Sequence, residues 1–420
     1  MPSTRVVIVG AGQAGLAVSH HLTSASIDHV LIERGRTAER WRSQRWDSLR
    51  LLTPNWMSRL PGWSYQGKDP GGFMPAADVV RYLTDYAESF RAPVRQGTEV
   101  RMVRQFGGRY LVDTDAGYWT ADAVVIASGF NDEPAVPSMA GSLDPSIATL
   151  TPDRYRNPGD LPAGGVLVVG ASATGVQLAD ELAADGRQVL LAAGRHTRLP
   201  RRYRGRDIMW WLDRMGALDR PVDRQRIRRR SEPSLQIVGS PPHPGRDARD
   251  VDLPALAARG VRIMGRLAGI DTTHVDFAND LAVNAAAADA RLARLLHRID
   301  DHVIATGLEF TVGPSAALRP FTPNTGAATQ VDLRSAGISS VVWATGYRRR
   351  YPWLRVPVLD SSGEIRHAAG LTAAPGLVVV GQRWQTRRSS TFLDGVRHDA
   401  RLVVDHLLAG VLAEPGRKAS

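Results

Sequence analysis

The first apolar run of the chain, Val6-Val7-Ile8-Val9, breaks at Gly10, and apolar residues then return at helical spacing through Ala14, Leu16, Ala17 and Val18. A second short run, His29-Val30-Leu31-Ile32, ends in Glu33. This pattern predicts strand, glycine turn, helix, strand, the unit from which parallel sheets are built. It recurs further on: Gly165-Val166-Leu167-Val168-Val169 breaks at Gly170, Val176, Leu178 and Ala179 follow, and Val189-Leu190-Leu191-Ala192 leads to Arg195. Two other strands are predicted to end in a glycine turn, one through Ile126 to Ser128-Gly129 and one from Val341 to Thr345-Gly346-Tyr347. An alanine-rich stretch from Asp280 to Asp301 places Leu281, Leu292, Leu295, Leu296 and Ile299 on one helical face, which reads as packing.

The turn chemistry gives this repeat a purpose. Gly10 permits the tight turn off the strand, Gly12 lets backbone approach a pyrophosphate, and Gly15 lets the following helix pack closely on the sheet. The first amides of that helix then point at phosphate. Glu33 lies where a carboxylate accepts hydrogen bonds from ribose hydroxyls, which suits FAD or NAD(H). In the second copy Ser172 replaces the middle glycine, and Arg195 stands where the acid would be, with Arg198, Arg201 and Arg202 behind it. Guanidinium groups bind a 2′-phosphate that a carboxylate would repel, so this copy reads as an NADPH site. The expected fold class is α/β, with two Rossmann-like three-layer dinucleotide-binding domains (FAD and NADPH), the second inserted in the first. Residues 1–158 and 347–420 form the FAD-binding domain in this reading, and 159–346 the NADPH-binding domain.

Composition narrows the chemistry. The 420 residues contain no cysteine, which excludes disulfides, thiolate metal sites and dithiol redox pairs. The net charge of +11 is almost all arginine, lysine occurring only at Lys68 and Lys418. The dense run Arg224, Arg226, Arg228, Arg229 and Arg230 has no interleaved aromatic residues and reads as solvated surface, with no nucleic-acid partner. No apolar run approaches the roughly 20 residues of a spanning helix, and the N-terminus has no secretory pattern, so a cytoplasmic protein without a membrane partner is expected. Histidines such as His20, His21, His196 and His398 lack metal-ligand spacing, so no metal is predicted. Trp210 and Trp211 are open to two readings, substrate lining or core, and the tail Glu414–Ser420 reads as disordered.

The chain resembles the two-dinucleotide flavoproteins related to class B flavin monooxygenases: flavin-containing monooxygenases, Baeyer–Villiger monooxygenases, the plant YUCCA-type enzymes and bacterial relatives of similar length. The resemblance spans nearly the whole chain. Besides the paired fingerprints it is carried by Trp41-Arg42, the stretch from Arg45-Trp46 to Thr53-Pro54, Leu60-Pro61-Gly62, and Ser128-Gly129 with Pro134 and Pro137. Gly194-Arg195-His196-Thr197-Arg198, Ala344-Thr345-Gly346-Tyr347, and Gly395-Val396 with Asp399-Ala400 complete it. It implies FAD at Gly10, Gly12, Gln13, Ala14, Gly15, Glu33, Arg34, Trp41 and Val100, with Leu49–Asn55 beside the flavin ring and Leu52 facing it. It implies NADPH at Gly170, Ser172, Thr174, Gly175, Arg195 and Arg198, with Thr345, Gly346 and Tyr347 on the nicotinamide side.

The implied activity is an FAD- and NADPH-dependent monooxygenase. In that family a C4a-(hydro)peroxyflavin passes one atom of molecular oxygen to a small organic substrate. Two departures shape the expectation. Thr151 stands where Baeyer–Villiger enzymes carry a signature histidine, so heteroatom or carbon hydroxylation ranks above ketone insertion. Leu52 stands where many relatives carry Asn or His, which leaves Thr53 or Asn55 as replacement hydrogen-bond donors and candidate catalytic residues. The alternatives are an NADPH oxidase or dehydrogenase that inserts no oxygen, and a non-catalytic FAD/NADPH-binding regulator; a homodimer stays open.

Overall fold

The computed structural model describes residues 2–221, 239–240, 249–317, 319–323 and 328–413; the arginine run at 224–230 and the tail at 414–420 lie outside them. Val6 to Val9 are all buried, as are Val166 to Val169. Strands covered on both faces need such unbroken apolar runs, whereas one-sided strands alternate. Each run occupies an inner position of its own sheet.

The first sheet is seven-stranded. Its order is Val94–Arg95, His29–Ile32, Ser3–Val9, Gly117–Ile126, Arg109–Thr114 and Val100–Phe106, with Leu377–Val379 also pairing along Gly117–Ile126. Ser3–Val9 pairs in parallel with both neighbours, Val7 opposite Val30 and Val124. The last three strands form an antiparallel meander beside this parallel core. The second sheet has five strands, ordered Ala148–Leu150, Ile338–Trp343, Gly165–Val169, Val189–Ala192 and Arg262–Met264, all parallel. Its edge strand Ala148–Leu150 lies upstream of residue 159, within the stretch that sequence reading gives to the first domain. Three residues at a sheet edge carry no readable period, and only their pairing with Ser340–Val342 assigns them.

The chain passes between the sheets twice, and the two passages pair with each other: Tyr347 lies antiparallel to Pro134 and Arg348 to Glu133. Helix Gln13–Ser24 packs against the C-terminal helix Val396–Ala409 on one face of the first sheet. The predicted alanine-rich helix runs Leu281–Ala305, with Leu281, Leu292, Leu295, Leu296 and Ile299 all buried. Trp211 is fully buried and donates its indole N–H to the Tyr203 carbonyl at 2.8 Å. The guanidiniums of Arg206 and Arg214 each lie over the Trp210 ring, 5.4 Å from its centroid. No helix among the described residues is long and apolar enough to cross a membrane.

Candidate functional site

Both glycine turns fold alike. Gly10 adopts φ +107° and Gly170 φ +111°; a Cβ at either would lie 2.7 Å or 2.5 Å from the carbonyl oxygen of Ala127 or Ala344. One helical turn on, a Cβ at Gly15 would meet the Gly10 oxygen at 2.0 Å, and one at Gly175 the Gly170 oxygen at 1.7 Å. Helices Gln13–Ser24 and Ala173–Ala184 therefore sit directly on their sheets, and no side chain caps the first turn of either. Gly12 is different: nothing lies within 4 Å of where its Cβ would be. That open space faces a cavity, and it is where a pyrophosphate would approach the helix amides.

The cavity has a volume of about 1320 Å³, above the 300–1,000 Å³ usual for one small ligand. It lies at the carboxyl ends of the parallel strands of both sheets, the crevice where open α/β sheets bind ligands. Gly10, Gly12, Gln13, Ala14, Glu33, Arg34, Trp41, Leu52, Thr53 and Val100 line it from the first unit. Gly170, Ser172, Thr174, Arg195, Thr345, Gly346 and Tyr347 line it from the second. Gly15 and Gly175 stand behind these walls as packing contacts. The Glu33 carboxylate accepts from the Ala11 N–H at 2.8 Å and from the Gly35 N–H at 2.9 Å, which fixes its rim position. Burial pushes the Tyr347 phenol above its ordinary range, with Arg45 pulling the other way, so Tyr347 faces the cavity protonated and able to donate. The donor set fits two dinucleotides: a carboxylate at one ribose position, guanidiniums at the other, and helix amides at each turn.

Besides these two glycines, two expected site residues, Arg198 and Asn55, do not reach the cavity. The Arg198 guanidinium, 8% exposed, is enclosed by Asp252 at 2.7 Å, Asp289 at 2.5 Å and the Arg319 carbonyl at 2.9 Å. With two carboxylates already paired it cannot clamp a 2′-phosphate. Asn55, 4% exposed, donates its carboxamide N–H to the Asp69 carbonyl at 2.9 Å and accepts from the Met74 N–H at 2.8 Å. It braces the loop beneath the cavity and is not a donor into it. Arg201 is likewise buried, and neither Trp210 nor Trp211 lines the cavity.

Other wall residues escaped sequence reading. Arg266 follows the edge strand Arg262–Met264, and its side-chain carbons lie 3.5–3.6 Å from where a Cβ at Gly194 would be, which brings it beside Arg195. Thr391, Phe392 and Leu393 enter from near the C-terminus, held by a 2.9 Å hydrogen bond from the Gln13 side chain to the Thr391 carbonyl. No motif marks either group; the only available signal is the strand end that precedes Arg266.

Comparison with known proteins agrees with this architecture. Residues 7–204 match the family model described as pyridine nucleotide-disulphide oxidoreductase. An uncharacterized CzcO-like oxidoreductase from Geobacillus kaustophilus is 30% identical over 410 residues, covering 96% of this chain and 98% of the relative. The chain belongs to the CzcO-like oxidoreductase family. It is an enzyme of the oxidoreductase class. The indole-3-pyruvate monooxygenase YUCCA6 of Arabidopsis thaliana is 31% identical over 194 residues, 44% of this chain and 46% of that protein. A flavin-containing monooxygenase from Stenotrophomonas maltophilia shares the fold with a TM-score of 0.67. It is 20% identical, and the match covers 97% of this chain and 99% of that one.

Proposed function

We propose that this oxidoreductase is an FAD- and NADPH-dependent monooxygenase acting on a small organic substrate, by heteroatom or carbon hydroxylation rather than ketone insertion. The observation that carries the reading is the pair of like-built glycine cradles opening into one cavity with opposite charges at the ribose positions: Glu33 at one, Arg195 with Arg266 at the other. A carboxylate suits free ribose hydroxyls and repels a phosphate; guanidiniums do the reverse. The flavin supplies hydride acceptance and oxygen activation when bound. The chain's own part is to hold the two nucleotides end to end, keep water from the reacting face with Leu52, Phe392 and Leu393, and present the Thr53 hydroxyl and Tyr347 phenol as donors. In the balanced reaction, NADPH, a proton, oxygen and substrate become NADP⁺, oxygenated substrate and water.

The withdrawal of Asn55 supports a second reading. With Leu52 at the flavin-facing position and Asn55 locked in the loop, NADPH oxidation that releases hydrogen peroxide is the competing outcome.

One experiment separates them. Purified protein loaded with FAD is mixed anaerobically with NADPH, then given air and a panel of amines, thioethers and ketones. Flavin bleaching followed by oxygenated product matching the NADPH consumed is expected. Bleaching with peroxide as the sole product selects the oxidase, and no bleaching overturns both.

A further inference from the structure

The segment leaving the second cradle carries arginines at three-residue steps, and each guanidinium has a different fate. Arg195 lines the cavity. Arg198 is consumed by Asp252 and Asp289 within the second unit. Arg201, 1% exposed, bridges that unit and the first. One of its amino groups donates to the Leu52 carbonyl at 2.9 Å and the other to Asp207 at 2.5 Å, while its plane lies 4.9 Å from the Phe73 ring centroid. Its backbone N–H donates to the Asp250 carboxylate at 2.5 Å.

The stretch it grips is the flavin-facing one. Residues 69–76 hold one edge of Leu49–Asn55: Leu51 donates to the Met74 carbonyl at 2.9 Å and Asn55 to that of Gly72 at 2.8 Å. From the nucleotide side, Leu52 itself is held by the Arg201 guanidinium. A buried guanidinium is costly unless paired and hydrogen-bonded, and an apolar side chain of similar size would pack there without that cost. What the guanidinium adds is geometry. Its rigid fork satisfies a carboxylate and a carbonyl at once, in directions that an ammonium cannot reproduce.

We propose that Arg201 is a positioning residue for electron transfer between the two nucleotides, fixing the Leu52–Thr53 backbone at a set distance from the nucleotide cradle. This rests on the FAD/NADPH reading above. Hydride transfer needs near-contact alignment, and a misplacement of about 1 Å can lower the rate roughly 10²-fold. Loss of Arg201 therefore lowers the rate at saturating NADPH and spares NADPH binding, because Arg195 and the cradle amides are untouched.

The test is anaerobic stopped-flow reduction of the FAD-loaded protein by NADPH, for wild type, Arg201→Met, Arg201→Lys and Asp300→Asn. Asp300 accepts from Arg204 and Tyr203 and lines no part of the cavity, so its variant controls for lost stability in the same region. Arg201→Met is expected to lose about tenfold or more in limiting rate, with half-saturating NADPH within about twofold and a shifted flavin absorption band. Arg201→Lys should recover part of that loss, and Asp300→Asn should melt lower yet keep its rate. An unchanged rate in Arg201→Met, or an equal loss in Asp300→Asn, overturns the proposal. If Arg201→Met does not fold, Arg201→Lys carries the measurement: a loss of about threefold or more is expected, and a wild-type rate overturns it. A wild type that NADPH does not bleach counts against the FAD/NADPH reading instead.

Discussion

Neighbouring arginines in one segment, Arg195 and Arg198, have opposite roles because their surroundings differ. Arg195 is exposed to the cavity, where an incoming phosphate can compete for it, whereas Arg198 meets two aspartates and is occupied on folding. Coenzyme choice should therefore follow Arg195. Arg195→Ala should remove a charge-assisted contact worth about 1.5–3 kcal/mol, raising the NADPH KM roughly tenfold to a hundredfold. Steady-state kinetics with NADH, which has no 2′-phosphate, should hardly change; equal losses for both coenzymes would mean that the 2′-phosphate binds elsewhere. Arg198→Ala should behave differently, lowering the melting temperature because Asp252 and Asp289 are left buried and unpaired.

The strand–turn–helix element separates what the fold requires from what a ligand requires. At Gly15 a methyl group would sit 2.0 Å from a backbone oxygen, while at Gly12 it would point into open space with ordinary extended φ and ψ. Gly12→Ala is therefore expected to fold and melt like wild type yet purify with little or no flavin, the methyl occupying the pyrophosphate approach. Gly15→Ala should melt lower, by an amount typical of overpacking, about 1–3 kcal/mol. Thermal denaturation and flavin absorbance of the two variants check the pair; a Gly12→Ala protein with full flavin would contradict the placement of the pyrophosphate. These cradles were legible in sequence because backbone geometry imposes glycine at fixed spacing whatever surrounds it. The partners of Arg198 and the lock on Asn55 were not, since Asp252, Asp289, Asp69 and Met74 approach only in the folded chain. Arg266 and Thr391–Leu393 were hidden for the same reason, as was the edge strand Ala148–Leu150.

At the scale of the whole molecule, burial lowers the pKa of five histidines among the described residues: His20, His21, His29, His196 and His398. His21 is brought down to about 4, through burial first and then the neighbouring charges of His20 and Arg401. The folded chain therefore resists their protonation, while the unfolded chain takes up protons near pH 6.5. Stability is therefore complete above about pH 6.5 and declines as pH falls toward about 4, the unfolded state binding more protons across that window. Melting curves should show a midpoint several degrees lower at about pH 5 than at about pH 7.5, and His21→Gln should flatten part of that slope. A flat profile would mean that these rings are solvated in the folded protein.

The paired passages between the sheets carry a last consequence. Pro134 and Tyr347 lie opposite each other on adjacent antiparallel strands, so excising everything between them leaves two chain ends one ladder rung apart. A two-residue turn would sew them together. The two covalent links between the halves thus lie side by side, all seven strands of the first sheet fall outside the excised stretch, and what such a splice would lose is the set of side-chain contacts across the halves, Arg201 to Leu52 among them.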